Sequence, residues 1–347
     1  MISRDRVFAA LSGERPDRVP TALGFRPTPV DRFAPADYAG PFPDAVSVSF
    51  KTSEPEANFQ RLVHQVPYDT RLGTPELLAN YRDWHYFRPG QVRNPLSLVK
   101  TAQEIRSFPF PNMNDPARHG HIPDAVAQFK RQGYAVAGGL PHLGGELFET
   151  GWRLRGLENW LLDLVERPEL AQALLDCLTE MCLANVQILA RAGVDILVID
   201  DDVGMPTSMI IGPELWAIYF KPRIAEIIAM GRQINPDLKV LYHSDGWIVP
   251  IIDELIALGV QALNPIQPDV VDPVYIKQQF GQRVALWGTV GTQATFSEGL
   301  PETVRGETRL RLETLGPDGL VLCPAYDLMD SNRLWPNIEA FLKAANE

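Results

Sequence analysis

Cysteine is scarce in this chain. Cys177, Cys182 and Cys323 are its three cysteines among 347 residues, and an odd, low count does not suit a disulfide framework. A reducing, cytoplasmic environment is therefore expected. Cys177 and Cys182 fall in an apolar helical stretch and are expected to pack in the core, whereas Cys323 ends a β-rich stretch beside polar residues.

Clustered positive charge is missing as well. The chain has 32 Lys and Arg against 43 Asp and Glu, a formal net charge of −11. This balance argues against a nucleic-acid partner, because phosphate binding needs clustered cations. No run of about 18 apolar residues is apparent, so we expect no membrane span. Residues 1–20 are charged and lack the apolar core and cleavage site of a signal peptide, which again favours a cytoplasmic protein.

Strand-like and helix-like stretches alternate along the chain, an order typical of a parallel sheet. Eight such units closing on themselves form an α/β fold of the (β/α)8 TIM-barrel type. An open doubly wound sheet is the alternative, but no G-x-G-x-x-G follows an early strand. Clear helices are predicted over 169–192 and 213–234. The eight β-rich stretches are 19–25, 46–50, 134–140, 194–201, 239–244, 261–266, 284–289 and 319–325.

One segment interrupts this alternation. Residues 51–133, between the second and third predicted strands, are rich in Pro, Arg, Asp and aromatic residues. The Pro-Gly at 89–90 predicts a tight turn of a small hairpin. We expect a single domain, residues 1–347, in which this insertion covers the mouth of the barrel.

Polar residues collect at the carboxyl end of the fourth predicted strand, which is where barrels place their active sites. The strand ends in Asp200-Asp201-Asp202. Three carboxylates beside a buried strand need solvent, hydrogen bonds or a cation. Because side chains alternate along a strand, Asp201 is the first candidate to project into the mouth. The alternative is a solvated turn that helps to cap the helix at Pro213.

The fifth predicted strand ends in His243-Ser244-Asp245. Residues two apart share one side of a strand, so His243 and Asp245 are expected to face the same cavity. A histidine and a carboxylate in this arrangement suit a metal site or proton transfer. Asp245 as the N-cap of the following helix is the alternative.

Further candidates follow the third, sixth and eighth predicted strands. Asn264 and Gln267 offer amide groups beside two prolines, and Tyr326 follows the eighth strand. Cys323 is a candidate metal ligand, although a buried cysteine in a strand is more often part of the packing. After the third strand, His142 and Glu146 are placed to reach the mouth.

Several motifs together resemble one superfamily. They are SRDRVFAALSGERPDRVP (3–20), LRGLENWLLDLVERPEL (154–170), AGVDILVIDDDVGMPTSMIIGPELWAIYFKPR (192–223), HSDGWIVPIIDELIALGVQALNPIQP (243–268) and LWGTVGTQATFSEGLPETVRGETRLRLETLGPDGLVLCPAYD (286–327). Over nearly the whole chain they are similar to the uroporphyrinogen decarboxylase superfamily, including its corrinoid-linked methyltransferase branch. The resemblance implies a (β/α)8 barrel with its site at the carboxyl ends of the strands.

The two branches of the superfamily predict different chemistry. Decarboxylases carry R-Q-A-G-R near the first strand to bind tetrapyrrole carboxylates. The corresponding stretch here, ALGFRPTPVDRF, has Arg26 and Arg32 but not the motif. Arg26 is therefore kept as a candidate substrate-binding residue, and the methyltransferase branch is preferred.

The methyltransferase branch implies zinc held by a His-x-Cys after the fifth strand and a cysteine after the eighth. This chain has His243-x-Asp245 at the first position, and Tyr326 aligns with the second. The sequence thus departs from the thiolate pattern at both places. The resemblance also implies cobalamin carried by a partner corrinoid protein, or tetrahydrofolate as the methyl carrier.

The expected function is transfer of a methyl group from a small methylated substrate or a methyl-corrinoid protein. A metal-free lyase or decarboxylase of a small carboxylic acid, or an activity like that of uroporphyrinogen decarboxylase, is the alternative. A corrinoid- or tetrapyrrole-binding protein is a third. A homodimer is the expected assembly. The candidate catalytic residues are His243, Asp245, Asp201 and Tyr326; the substrate-binding ones are Asn264, Gln267, Asp200, Asp202, His142 and Arg26; the metal ligands are His243, Asp245, Gln267 and Cys323.

Overall fold

The structure is a computed structural model, and it describes residues 1–51, 94–140, 145–325, 328 and 334–347. Within these residues, seven parallel strands form one sheet in sequence order. This α/β, barrel-like arrangement agrees with the predicted alternation of strands and helices. The strands are β1 (Ala45–Val48), β2 (Ala135–Gly139), β3 (Ile196–Asp200), β4 (Lys239–His243), β5 (Ala262–Asn264), β6 (Ala285–Trp287) and β7 (Leu320–Val321).

The two edges of the sheet meet at an N-terminal segment. Thr21 forms a parallel bridge with Leu322, directly after β7. On the other side, the Asp44 N–H, just before β1, donates to the Thr21 carbonyl oxygen at 2.7 Å. The sheet is therefore curled. The first predicted strand, 19–25, contributes this single bridge instead of a regular strand.

Successive strand residues alternate between two cores, as the period of two requires. Outward-facing residues such as Leu197, Ile199 and Tyr242 pack against the helices. Both faces are buried, which explains why β3 is almost continuously apolar. The second core, which we place inside the curled sheet, includes Phe25, Ile196, Val198, Leu241, Ala262, Trp287, Val321 and Cys323.

Helices cover the outside of the sheet, and many carry proline in the first turn, where the missing N–H costs no intrahelical bond. They are α1 (Ser3–Leu11), α2 (Ala102–Arg106), α3 (Pro116–His119), α4 (Ile122–Arg131), α5 (Phe148–Arg155), α6 (Leu157–Glu166), α7 (Pro168–Ala192), α8 (Pro213–Tyr219), α9 (Lys221–Ile234), α10 (Ile252–Ala257), α11 (Pro273–Phe280), α12 (Pro301–Leu315) and α13 (Trp335–Ala344). The helix predicted over 213–234 is divided at Phe220, because Pro222 occupies the first turn of a new helix.

Helix α7, with 25 residues, bears on the expectation that no segment spans a membrane. By length and composition alone it is long and apolar enough to cross a membrane. In this structure it packs against α2, α4, α5, α6 and α9, and residues such as Leu174 and Leu178 are buried. Its apolar character is thus accounted for by the core of the protein.

The predicted insertion, 51–133, is only partly described. Residues 52–93, including the predicted hairpin, lie outside the described residues. At the other end, α4 buries Ile122 and Val126 and packs against β1 and β2. This part belongs to the helical layer around the sheet, and a mouth-covering role for the preceding residues stays a prediction.

Candidate active site

A row of polar residues crosses the carboxyl edge of the sheet. Asp200, His243 and Asn264 end β3, β4 and β5, and each lies opposite the next in the parallel register. All three are almost fully buried. Parallel strands in register therefore bring together polar side chains that are about 20 to 40 residues apart in the sequence, as predicted for the strand ends.

His243 lies at the centre of a group of carboxylates. Its Nε2 is 3.9 Å from Asp200 Oδ1, 3.7 Å from Asp202 Oδ1 and 4.0 Å from Asp245 Oδ1. Ligand atoms of Asp200, Asp202 and His243 all lie within 4.8 Å of one another. Two ligands of one divalent cation, each at about 2.0–2.6 Å from it, are separated by comparable distances. The donor set and its spacing therefore fit a divalent cation.

The ring of His243 is held on both its face and its edge. Phe25 stacks on it, with ring centroids 3.8 Å apart and planes inclined by 21°. Its Nδ1 contacts Asn264 Oδ1 at 2.5 Å. Burial lowers the pKa of His243, an effect opposed by Asp202 and by the hydrogen bond with Asn264. The structure thus favours a neutral imidazole beside the carboxylates.

Arg26 brings a positive charge to the same place. Its guanidinium donates to Asp200 Oδ2 at 3.2 Å and lies over the Phe25 ring, 5.2 Å from the centroid. It passes close to Gly139, where an added Cβ would lie 3.1 Å from Arg26 Nε. Arg26, predicted to bind substrate, is therefore brought into the site as the partner of Asp200.

The loops after β3 and β4 hold Asp202 and Asp245 together. The Asp245 N–H donates to Asp202 Oδ1 at 2.6 Å. A Cβ added to Gly204 would lie 2.4 Å from the Asp245 carbonyl oxygen, so the two loops touch backbone to backbone. The Gly246 N–H donates to Gln267 Oε1 at 2.8 Å. Gln267, predicted to bind substrate or metal, uses its oxygen to hold this loop.

Asp201 does not join the cluster. Its carboxylate accepts N–H bonds from Leu147, Phe148 and Glu149, at 2.8 to 3.2 Å, at the start of α5. Burial, the largest cause, raises the pKa of Asp201 to about 7, against the lowering effect of these N–H groups. Asp201 therefore caps a helix instead of taking the predicted catalytic role. The capped helix is α5 and not the predicted one that starts at Pro213.

Replacing Asp201 with alanine is expected to destabilise the protein by about 3 kcal/mol, because buried N–H groups left without acceptors cost about 1–3 kcal/mol each. Urea unfolding would measure the difference. Asp201→Asn keeps an acceptor oxygen and should recover much of the loss. Unchanged unfolding of Asp201→Ala would contradict the capping role.

Cys323 is not one of the residues that form the cluster in the described part of the chain. It is fully buried, and its Sγ donates to the Gly24 carbonyl oxygen at 3.3 Å. Its neighbours in the second core are apolar residues such as Val321 and Trp287. These contacts do not support the predicted metal-ligand role. They agree with the alternative, in which Cys323 packs in the core. Tyr326 and His142 lie outside the described residues.

Two glutamates after β2 add further carboxyl groups to the site. Glu146 Oε2 accepts the Asp200 N–H at 2.6 Å, and burial raises its pKa well above the usual value. Burial, followed by the charge of Asp202, raises the pKa of Glu149 to about 8, with Arg153 acting in the opposite sense. Sequence reasoning placed Glu146 near the mouth of the barrel and missed Glu149, although the E-x-x-E spacing of the two residues was visible.

Comparison with known proteins identifies the family. The family model described as uroporphyrinogen decarboxylase matches residues 147–347, more than half of the chain. The chain belongs to the uroporphyrinogen decarboxylase family. Membership of this family confirms the resemblance drawn from the sequence motifs.

Relatives of this uroporphyrinogen decarboxylase family member include methyltransferases. The methylcobamide:CoM methyltransferase MtaA of Methanosarcina barkeri is 24% identical over 252 residues, which cover 70% of this chain and 71% of the relative. The solved structure of a methyltransferase from Methanosarcina mazei has a similar fold, with a TM-score of 0.61 at 18% identity, over 100% of this chain and 98% of that one. The similarity to the solved structure shows a shared fold, and both relatives are methyltransferases.

The zinc set implied by the methyltransferase branch does not fit the described residues in its thiolate form. Asp245 stands where that pattern has a cysteine, and the Cys323 thiol is directed to the Gly24 carbonyl oxygen. Oxygen ligands suit harder cations such as Mg²⁺ and Mn²⁺, whereas zinc is held well by imidazole and thiolate. What the site offers is one imidazole nitrogen with carboxylates.

Proposed function

We propose that this protein is a methyltransferase that binds a divalent cation at the carboxyl ends of its strands, through Asp200, Asp202 and His243. One observation carries the proposal: an imidazole nitrogen and two carboxylate oxygens, within 4.8 Å of one another, at the strand ends of the fold. Relatives that are methyltransferases support the reaction class. Asp200 is buried and Asp202 is partly buried close to it, and a cation would compensate the repulsion between their charges.

The roles of the residues follow from their contacts. A divalent cation supplies Lewis acidity, which lowers the pKa of an acceptor group and makes it a better nucleophile. Asp200 and Asp202 bind through their Oδ1 atoms and His243 through Nε2. The Arg26 guanidinium donates to Asp200 Oδ2, the other oxygen of that carboxylate, and offsets its negative charge. Glu149 holds a proton at neutral pH, because its pKa is raised to about 8.

The methyl donor is proposed to be a small methylated substrate or a methyl-corrinoid carried by a partner protein. The name of the relative MtaA, a methylcobamide:CoM methyltransferase, supports this choice, and tetrahydrofolate is the other proposed carrier. We further propose a cytoplasmic homodimer. The stretch 19–25 contacts Leu322 after β7 and Asp44 before β1 through Thr21, and it is proposed to take the eighth strand position of a (β/α)8 barrel.

Metal analysis and a methyl-transfer assay test the proposal together. Protein prepared without affinity tags would be loaded with Mn²⁺, Mg²⁺ or Zn²⁺ and its bound metal counted. Demethylation of free methylcobalamin would then be followed by absorbance, with CoM and other small thiols as acceptors. One bound cation per chain and cation-dependent demethylation are expected. Full activity in a chelator would contradict the metal role.

A metal-free lyase or decarboxylase is the second candidate. The raised pKa values of Glu146 and Glu149 favour it, because a protonated carboxyl close to Asp200 could serve as a general acid. A bell-shaped dependence of kcat/KM on pH, unaffected by chelator, is its expected signature. Strong inhibition by chelator that added cation reverses would exclude it.

A further inference from the structure

The orientation of His243 is set by hydrogen bonds that continue into the neighbouring strands. Asn264 Nδ2 donates to the carbonyl oxygen of Trp287, the last residue of β6, at 2.9 Å. A carbonyl oxygen accepts and never donates, so this contact determines which end of the Asn264 amide is nitrogen. The amide oxygen Oδ1 is therefore the atom that faces His243 Nδ1.

The same contact determines which nitrogen of the ring carries the proton. An amide oxygen has no hydrogen to give, so the proton in this hydrogen bond belongs to His243 Nδ1. In a neutral imidazole, Nε2 then carries the lone pair. That lone pair faces Asp200 Oδ1 and Asp202 Oδ1, at 3.9 and 3.7 Å.

We propose that Asn264 is a positioning residue, which holds His243 in its Nδ1–H tautomer and so makes Nε2 the atom that acts at the mouth. Asn264 was predicted from the sequence to bind substrate. Both ends of its amide are instead engaged by the protein itself. The inference rests on the proposed function only where Nε2 is said to bind a cation; the tautomer stands without it.

The surroundings keep this arrangement rigid. Asn264 and His243 are almost fully buried, at 1% and 2% exposure, which limits competition from water for either hydrogen bond. Gly288 leaves room for the amide: its φ is +83°, and a Cβ there would lie 2.4 Å from Asn264 Nδ2. Phe25 covers one face of the ring, so rotation of the imidazole would break the stacking as well as the hydrogen bond.

The tautomer can be measured directly by long-range ¹H–¹⁵N correlation spectra of protein labelled with ¹⁵N-histidine. The chain has six histidines, and comparison with His243→Gln assigns the signal. The spectra would be recorded in chelator at mildly alkaline pH, where His243 is neutral because burial lowers its pKa. A protonated Nδ1 and an unprotonated Nε2 are expected. A protonated Nε2 would overturn the proposal.

Variants separate positioning from general support of the fold. Asn264→Ala should lose the tautomer preference and weaken Mn²⁺ binding about 10- to 100-fold, the usual effect of removing a group that orients a metal-binding histidine. Asn264→Asp keeps an oxygen acceptor and should restore the Nδ1–H tautomer. Asn235→Ala is the matched control, because Asn235 Nδ2 donates to the Val194 carbonyl oxygen in the loop before β3, at the other end of the strands.

The outcomes distinguish this inference from the proposed function. If Asn264→Ala keeps the wild-type tautomer, positioning by Asn264 is wrong. If Asn264→Ala and Asn235→Ala lose Mn²⁺ affinity equally, the effect is one of stability and the proposal also fails. If wild-type protein shows the Nδ1–H tautomer and binds no Mn²⁺, the metal role fails while the positioning role is supported.

Discussion

Replacing His243 with alanine is expected to reduce kcat/KM by about 10²–10⁴-fold, the range found when a general acid or base is removed. The reason is geometric: Nε2 faces three carboxylates at 3.7 to 4.0 Å. Either proposed role, holding a cation or moving a proton, acts through that atom. Methyl-transfer kinetics on the purified variant would measure the loss.

The affinity for Mn²⁺, measured by calorimetry, separates the two roles of His243. A ligand role predicts weaker binding in His243→Ala, whereas a proton-transfer role leaves binding unchanged and removes the activity. His119→Ala is a matched control, because His119 lies on α3 and has no role in the proposed site. If His243→Ala retains wild-type kcat/KM, neither cation binding nor proton transfer by His243 is part of the reaction.

The sequence predicted that polar residues collect at the carboxyl ends of the strands, but not which side of the sheet each residue faces. The period of two along β3 implies that Asp200 and Asp202 share one side and Asp201 the other. The period does not say which side is the mouth. Which side of the strand faces the site depends on the register with β4, which places Asp200 opposite His243. It also depends on the start of α5, where the Phe148 N–H donates to the Asp201 carboxylate.

Glu149 and Cys323 show a second limit of sequence reasoning. Glu149 comes from the first turn of α5, and its closeness to Asp202 depends on how that helix packs, which local patterns do not encode. Cys323 lies in a predicted strand, but its depth in the core decides between ligand and packing. Depth follows from strand stagger and closure, which are properties of the whole sheet.

Four buried or largely buried carboxyl groups in and around the site predict that cation-free protein loses stability as the pH rises. Burial raises the pKa of Glu149 from 4.5 to about 8 and that of Asp201 from 3.8 to about 7; Asp200 and Glu146 shift in the same direction. At pH values between the ordinary and the raised pKa of each group, the folded protein binds more protons than the unfolded chain. The contribution of these carboxyl groups to folding stability is therefore fully present below about pH 4, and it is lost as the pH rises through 7 to 8.

Thermal unfolding in chelator at pH 5.5, 7.0 and 8.5 would measure this loss, expected to be on the order of 3 kcal/mol from about 1.4 kcal/mol per pKa unit. Mn²⁺ should stabilise most at pH 8.5, because a cation competes with protons for the same carboxylates. Glu149→Gln removes one of the titrating groups, which faces Asp201, Asp202 and Arg153, and should flatten the dependence. The contrary result is a melting temperature that stays level or rises from pH 5.5 to 8.5, to the same extent in wild type and in Glu149→Gln. That result would show that these carboxyl groups are not protonated in the folded protein.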